Sequence, residues 1–252
     1  MITMKGAAVS AKLKEQVEKG LETLTWVPKL TIIRVGENPD DISYEKGATK
    51  KLTSFGLEVE SKVFPGDISD EAFKREFAAI NADASVDGIL MLRPLPKQIN
   101  EQDIEKMIDP AKDLDGISPV NIAKVFSGDT SGFAPCTAEA VVCMLKMNDI
   151  ALSGKRVAVV GRSMVVGRPL SMLLLHENAT VTICHSRTAS LPEVCREADI
   201  LTACVGKAAM INHTYVKKDA VVIDVGINVD ENGKLCGDVD FAGVEPIASY
   251  IT

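Results

Sequence analysis

A turn of small residues between a strand and a helix is the segment best suited to chemistry. Residues 157–169 read Val-Ala-Val-Val-Gly-Arg-Ser-Met-Val-Val-Gly-Arg-Pro. Gly161 allows a tight turn, and Gly167 allows close packing of the helix against the strand. The first N–H groups of such a helix attract a phosphate. The turn predicts a dinucleotide site, although Ser163 replaces the middle glycine of the usual motif and a plain strand–helix crossover is the alternative.

The strand after this turn indicates which dinucleotide is bound. An NAD site has an Asp or Glu about 20 residues further on, which binds the ribose 2′-hydroxyl. Here the strand ends in His185, Ser186 and Arg187, without an acid. Arginine suits a 2′-phosphate because its planar fork donates two hydrogen bonds at once, and Arg162 adds a second cation. The sequence therefore favours NADP over NAD. The alternative role of Arg187 is that of a solvated turn residue, and the alternative role of His185 is that of a surface or capping imidazole.

Three more residues are predicted to line the same site. Val166 begins the helix that follows the turn. Gly206 and Ile227 each lie just beyond an apolar strand, within Val-Gly-Lys and Asp-Val-Gly-Ile-Asn. Ligands of open α/β sheets lie across the carboxyl ends of the strands. Gly206 and Ile227 are therefore expected to contact the cofactor.

The elements that must position these residues alternate regularly. Strands are predicted at 30–35, 57–64 and 87–92, with helices at 41–55 and 69–81. This βαβαβ order is typical of a parallel sheet. After a helix at 137–147, the pattern restarts with strands at 155–160, 180–184, 200–205 and 220–224 and a helix at 166–176. We predict an α/β fold of two lobes, 1–140 and 141–252, with a turn at Asn232-Gly233.

Composition narrows the class of protein. The 252 residues carry a net charge of -7, and no apolar run approaches the ~20 residues that span a bilayer. Clustered cations for nucleic acid are lacking, so neither nucleic acid nor membrane is expected as a partner. The six cysteines have no CxxC spacing, and most lie in apolar runs. Buried reduced thiols in the cytoplasm are expected rather than a zinc site.

Many separate motifs follow one another in order along the chain. They are Arg34-Val-Gly-Glu-Asn-Pro39, Tyr44 with Gly56, Asp87-Gly-Ile-Leu90, Pro94-Leu-Pro96, Lys112-Asp-Leu-Asp115-Gly116, Pro135-Cys-Thr137, Gly161-Arg-Ser163, Ile223-Asp-Val-Gly-Ile-Asn228 and Gly237-Asp-Val239. With these motifs the sequence resembles one family, the methylenetetrahydrofolate dehydrogenase/methenyltetrahydrofolate cyclohydrolases of the FolD type. The resemblance runs from about Gly6 to the last residue.

The resemblance implies an enzyme of tetrahydrofolate derivatives. It implies two α/β lobes around a cleft, a Rossmann-like C-terminal lobe that binds NADP, and a homodimer formed through that lobe. The expected reaction is the oxidation of 5,10-methylenetetrahydrofolate, followed by hydrolysis of the methenyl product. Tyr44 matches the tyrosine that flanks the folate ring, and Asp115 matches the acid that binds the pterin. Asp113 is expected to cap a loop instead.

Two polar residues that the family uses to handle protons are replaced. The family lysine four residues after the tyrosine is Ala48, and the family glutamine of the third strand is Leu92, followed by Arg93 in place of a leucine. Lys50, about 240° around the helix from Tyr44 at 3.6 residues per turn, and Arg93 are the candidate replacements. We expect the dehydrogenase to survive and the cyclohydrolase to be weak, rearranged or lost.

Two other functions stay open at this stage. One is a dehydrogenase of another small substrate, such as a shikimate-like compound, which Tyr44 and the Asp115 loop disfavour. The other is a catalytically inactive folate- or NADP-binding homologue, which Ala48 and Leu92 favour. The family also continues beyond a Ser-Tyr-Ile-Thr-like sequence into a loop and a final helix, whereas this sequence ends at Thr252.

Overall fold

A computed structural model describes residues 1–231 and 233–252 of the chain. Asn232, half of the expected Asn-Gly turn, lies outside the described residues. The chain divides into two compact units. The N-terminal unit is Ser10–Ala134, and the C-terminal unit combines Met1–Val9 with Pro135–Thr252.

The elements are numbered here in chain order. The strands are β1 (Ile2–Thr3), β2 (Lys29–Val35), β3 (Glu58–Phe64), β4 (Gly88–Met91), β5 (Arg156–Val160), β6 (Thr180–Cys184), β7 (Ile200–Ala203), β8 (Val221–Asp224), β9 (Asn228–Val229), β10 (Leu235–Cys236) and β11 (Tyr250–Ile251). The helices are α1 (Gly6–Leu21), α2 (Pro39–Thr53), α3 (Asp70–Ala82), α4 (Glu101–Met107), α5 (Pro119–Ser127), α6 (Cys136–Met147), α7 (Gly167–His176), α8 (Leu191–Arg196) and α9 (Phe241–Val244). A short 3-10 helix spans His213–Tyr215.

The N-terminal unit contains the expected parallel sheet, in the order β3-β2-β4. Its core is apolar and includes Phe73 and Phe77 of α3, which are fully buried. Ser69 caps α3, because its side chain accepts a hydrogen bond from the backbone N–H of Ala72 at 3.2 Å. Because the three strands are parallel, each ends at the same edge as its neighbours, and the loops that follow them lie close together.

The C-terminal unit contains a six-stranded sheet in the order β1-β11-β8-β7-β5-β6, with every pair parallel. Successive side chains of a strand point to opposite faces. Val157 and Val159 accordingly join one core cluster, whereas Ala158 and Val160 join the other. A strand buried on both faces explains why the sequence of β5 is continuously apolar. The α/β prediction and the Rossmann-like C-terminal arrangement are confirmed.

The units differ in extent from the predicted lobes 1–140 and 141–252. The first residues belong to the C-terminal unit because β1 pairs with β11 at the edge of its sheet. The predicted boundary falls inside α6, whose buried face, including Val141 and Leu145, packs into a core cluster of the C-terminal unit. The sequence analysis did not identify α1, α4, α5 or α8.

The cysteines depart in part from the expected burial. Cys184 and Cys195 are buried, but Cys136 is exposed because it begins α6 directly after Pro135. Among the described residues, none of the six cysteines forms a disulfide. Among the described residues, no helix is long and apolar enough to cross a membrane.

Candidate active site

The carboxyl ends of four neighbouring strands form one edge in the C-terminal unit. Val160 at the end of β5 pairs with Cys184 of β6 on one side and Ala203 of β7 on the other. Ala203 in turn pairs with Asp224 at the end of β8. This register brings together the predicted turn after β5, the His185 segment and the loops that hold Gly206 and Ile227. From β5 the chain continues to β6 on one side and then crosses to β7 on the other, the switch point where α/β sheets bind ligands.

The turn between β5 and α7 can be built only with glycine at two positions. Gly161 has a φ of +134°, and a Cβ there would collide with the carbonyl oxygen of Cys204. A Cβ on Gly167 would collide with the carbonyl oxygen of Gly161. These contacts bring the start of α7 against the end of β5. Ser163 closes the turn, because its Oγ accepts from the N–H of Val166 at 3.1 Å and its carbonyl accepts from Arg168 at 3.0 Å.

The predicted phosphate-binding side chains lie around this turn and are open to solvent. Gly161 donates its N–H to the carbonyl of Cys184 at 2.9 Å, which joins the turn to the end of β6. Arg162, Ser186 and Arg187 are exposed. The imidazole Nδ1 of His185 accepts from the backbone N–H of Arg187 at 3.1 Å. His185 therefore has the capping role that was one of its two alternatives.

Gly206 and Ile227 lie at the same edge with room beside them. Gly206 has a φ of +66°, and a Cβ at this position would meet no described atom within 4 Å. Ile227 is 84 % exposed, although it is a large apolar residue. An apolar side chain at the ligand edge of a sheet is typical of a pocket wall.

Two carboxylates that sequence reasoning missed organise this edge. Asp238 is fully buried and accepts hydrogen bonds from four N–H groups, three of them in the loop after β7. Asp224 accepts from the backbone N–H groups of Gly226, Asp238 and Val239. Burial, together with the Asp238 carboxylate, raises the pKa of Cys204 to about 12, so this residue is a thiol at neutral pH. The only sequence signals for Asp224 and Asp238 were the two family motifs that contain them, Ile223-Asp-Val-Gly-Ile-Asn228 and Gly237-Asp-Val239.

In the N-terminal unit, Tyr44 lies on α2 and is 56 % exposed. Its neighbour Glu45 accepts a hydrogen bond from Nε of Arg34 at 2.5 Å, which ties α2 to β2. Burial raises the pKa of Glu45, but hydrogen bonds from Ser61 and Arg34 outweigh it and hold that pKa below its ordinary value. The bond between Arg34 and Glu45 therefore holds α2, the helix on which Tyr44 lies, against β2.

The sequence suggested that Arg93 supplies a cation to the site, but in the structure its charge is already paired. It follows β4, and its guanidinium is within ion-pair distance of three carboxylates, Asp115 at 3.4 Å, Glu101 at 3.5 Å and Glu105 at 3.6 Å. Burial raises the pKa of Glu105. The structure therefore brings together Arg93 and Asp115, two of the predicted site residues.

Asp115 is placed by the segment that precedes it. Asp113 forms an isolated parallel bridge with Ile89 of β4, so the chain runs beside the strand. The carboxylate of Asp113 accepts from the N–H groups of Ile117 and Ser118 at 3.0 and 2.7 Å. The loop-capping role predicted for Asp113 is confirmed, and it fixes the loop on which Asp115 lies.

The two positions that were expected to depart from the family pattern are half-buried or buried. Ala48 is half-buried on α2, and Leu92 is 9 % exposed after β4. Lys50 is exposed near the end of α2. Its ammonium group forms no ion pair or hydrogen bond with another described residue. Lys50 is thus a solvent-facing cation rather than a group held at a defined place.

Models of known protein families match most of each unit. Residues 4–115 match the catalytic domain of the tetrahydrofolate dehydrogenase/cyclohydrolase family, and residues 135–252 match its NAD(P)-binding domain. A Clostridium kluyveri protein named bifunctional protein FolD is 50 % identical over 242 residues, covering 95 % of this chain and 85 % of the relative.

Solved structures give the same result. The bifunctional enzyme FolD of Campylobacter jejuni matches with a TM-score of 0.96 and 36 % identity, covering 100 % of this chain and 90 % of that one. The Trypanosoma brucei dehydrogenase-cyclohydrolase, solved with NADP and an inhibitor, matches with a TM-score of 0.89 and 31 % identity over 98 % of this chain and 86 % of that one. The chain belongs to the tetrahydrofolate dehydrogenase/cyclohydrolase family.

Proposed function

We propose that this protein catalyses the NADP-dependent oxidation of 5,10-methylenetetrahydrofolate to 5,10-methenyltetrahydrofolate, with weak cyclohydrolase activity. The observation that carries the proposal is the strand edge of the C-terminal unit, where the turn of Gly161 adjoins the segment of Arg187 in a chain of this family. In the reaction, a hydride leaves the methylene carbon and reduces the nicotinamide, and the folate becomes the methenyl cation.

The residues at this edge fit NADP. At the start of α7 the backbone N–H of Gly167 would be the group left for the pyrophosphate, because those of Val166 and Arg168 are bonded to Ser163 and Pro169 has none. Arg162, Ser186 and Arg187 would hold the 2′-phosphate, and Gly206 and Ile227 would line the dinucleotide. Bound NADP supplies the hydride acceptor. The protein contributes orientation, which hydride transfer chiefly requires.

The folate side of the proposal rests on the N-terminal unit. The aromatic face of Tyr44 is suited to stacking on a pterin. Asp115 would accept N–H bonds from the amino-pyrimidinone edge, with Arg93 holding its carboxylate. Tyr44 and Asp115 would orient the folate for oxidation, a step that requires no proton transfer by the protein.

Hydrolysis makes a different demand. Opening the methenyl ring needs a positioned acid or base, which typically contributes about 10²–10⁴-fold to the rate. Alanine and leucine occupy positions 48 and 92, Lys50 faces solvent, and the guanidinium of Arg93 cannot act as a base at neutral pH. The cyclohydrolase step therefore lacks its proton-handling groups.

A single assay tests these points together. Purified protein is mixed with methylenetetrahydrofolate and either NADP or NAD, and the absorbances of the reduced nicotinamide and of the methenyl compound are followed separately. We expect reduction with NADP and accumulation of the methenyl compound. Thermal stabilisation by NADP without turnover would instead support an inactive homologue, and turnover only with another small substrate would support a different dehydrogenase.

Assembly and location complete the proposal. We propose a homodimer formed through the C-terminal unit, as the family resemblance implies. We also propose a cytoplasmic location, because none of the six described cysteines forms a disulfide and disulfides are rare in that compartment.

A further inference from the structure

Asp238 is a buried carboxylate at the proposed NADP edge. It is 0 % exposed, and no lysine or arginine among the described residues forms an ion pair with it. Its Oδ2 accepts from the N–H groups of Val205 at 2.6 Å and Gly206 at 3.1 Å. Its Oδ1 accepts from the N–H of Lys207 at 2.8 Å and the side-chain amide of Asn228 at 2.9 Å. Four donors thus replace the water that a buried charge loses.

The donors come from both loops that were predicted to contact the cofactor. Three consecutive backbone N–H groups that converge on one point form an anion-binding concavity. In the loop of residues 205–207 this concavity is filled by the protein's own carboxylate. Its N–H groups are therefore unavailable to a phosphate, and the negative charge of Asp238 opposes one there. The start of α7 is left as the place for the pyrophosphate.

Asp238 is itself held in position by a second carboxylate. Asp224, at the end of β8, accepts the backbone N–H of Asp238 at 2.9 Å and that of Val239 at 3.0 Å. A Cβ on Gly226 or Gly237 would collide with the carboxyl group of Asp238 or Asp224, respectively. The two carboxylates therefore join the ends of β7 and β8 to residues 237–239.

We infer that Asp238 is a positioning residue for the cofactor, which sets the loops of Gly206 and Ile227 without touching NADP. The inference rests on the proposed NADP site. The Asp238 side chain then has two effects. It fixes the positions of the two loops that line the proposed site, and it excludes phosphate from the loop after β7.

The substitution Asp238→Asn tests this role with little change in volume. One carboxylate oxygen becomes an NH2 group, so two of the four donors lose their acceptor in either orientation of the amide. We expect the Kd for NADPH, measured by fluorescence without substrate, to rise about tenfold. Amide hydrogen exchange at residues 205–207 should become faster. The KM for NADP should rise, while that for methylenetetrahydrofolate, whose proposed site residues lie in the N-terminal unit, should not.

Two further variants make the result specific. Asp240→Asn makes the same substitution two residues away. Asp240 caps α9 by accepting the N–H of Gly243, and asparagine caps a helix equally well. It should leave the NADPH Kd unchanged. The exchanged pair D238N/N228D restores a bond between side chains 238 and 228 and should recover part of the affinity. If D238N alone does not fold, this exchanged pair is compared with the wild type instead.

The outcomes separate the inference from the proposed function. Wild-type protein that binds no NADPH overturns the proposed function and the inference with it. Wild-type protein that binds NADPH, with D238N binding equally well or with both KM values raised alike, overturns the inference alone. A raised NADPH Kd with faster exchange at 205–207 and an unchanged folate KM supports it.

Discussion

Nη2 of Arg93 lies 3.4 Å from Oδ2 of Asp115, so a side chain that departs from the family pattern contacts the acid expected to bind the pterin. The same guanidinium faces Glu101 and Glu105 and is only 16 % exposed. One cation is therefore shared among three carboxylates in a partly buried cluster. Its removal has consequences that can be measured.

Arg93→Leu, which places the expected family residue at this position, should destabilise the protein by about 2 kcal/mol at pH 7. Three carboxylates would lose their shared cation. The loss should shrink as the pH falls towards 4, because burial raises the pKa of Glu105 and a protonated Glu105 no longer needs the cation. Urea unfolding at both pH values checks this. Arg75→Leu, in an exposed pair with Glu76, is the matched control and should change stability little. An equal loss at both pH values would contradict the shared-cation account.

The double substitution Ala48→Lys with Leu92→Gln should raise the rate of methenyltetrahydrofolate hydrolysis about 100-fold, because it supplies groups that transfer protons. Position 48 lies one turn from Tyr44 on α2, on the same face. Decay of the methenyl absorbance measures the rate. The control is Thr49→Lys with Leu92→Gln, which places the lysine about 100° away around the helix. Fast hydrolysis by the unchanged protein would refute the proposal that its cyclohydrolase activity is weak.

Arg187→Ala should raise the KM for NADP about tenfold or more and leave that for NAD nearly unchanged, because only NADP carries a 2′-phosphate. Initial rates with both cofactors measure the split. Arg156 is an equally exposed arginine at the other end of β5, where it pairs with Glu197, and Arg156→Ala serves as the control. A similar change in both KM values would mean that Arg187 does not read the 2′-phosphate.

Gly161→Ala and Gly154→Ala separate two costs of replacing a glycine. Both residues have positive φ, but a Cβ on Gly154 meets no described atom within 4 Å, whereas one on Gly161 meets the backbone of Cys204. Gly154→Ala should cost about 1 kcal/mol and Gly161→Ala at least about 3 kcal/mol. Denaturant unfolding gives both values. Equal losses would show that backbone conformation alone requires glycine at position 161.

Much of the fold was predictable from local patterns. The strands β2 to β8 came from short apolar runs, such as residues 157–160, which are buried on both faces. The helices α2, α3, α6 and α7 followed from periodicity and from capping residues such as Ser69. The strand edge that we propose binds NADP was predictable as a structural feature, because the carboxyl ends of parallel strands lie together and residues just beyond them meet.

The short helices and the first residues were not predictable in this way. α4, α5 and α8 have between six and nine residues, too few for a clear periodic pattern. The pairing of β1 with β11 joins residues at opposite ends of the chain, and no local signal marks it.

By itself, the sequence determined the fold class, the family and the position of the cofactor turn, because each depends on patterns within a few consecutive residues. Only the tertiary structure decided what the charged residues do. Asp238 meets its loop donors from 31 to 33 residues away, and Arg93 meets Asp115 across 22 residues. Whether a charge is solvated, paired or buried depends on which distant segments the fold brings beside it, and neither residue type nor spacing records that.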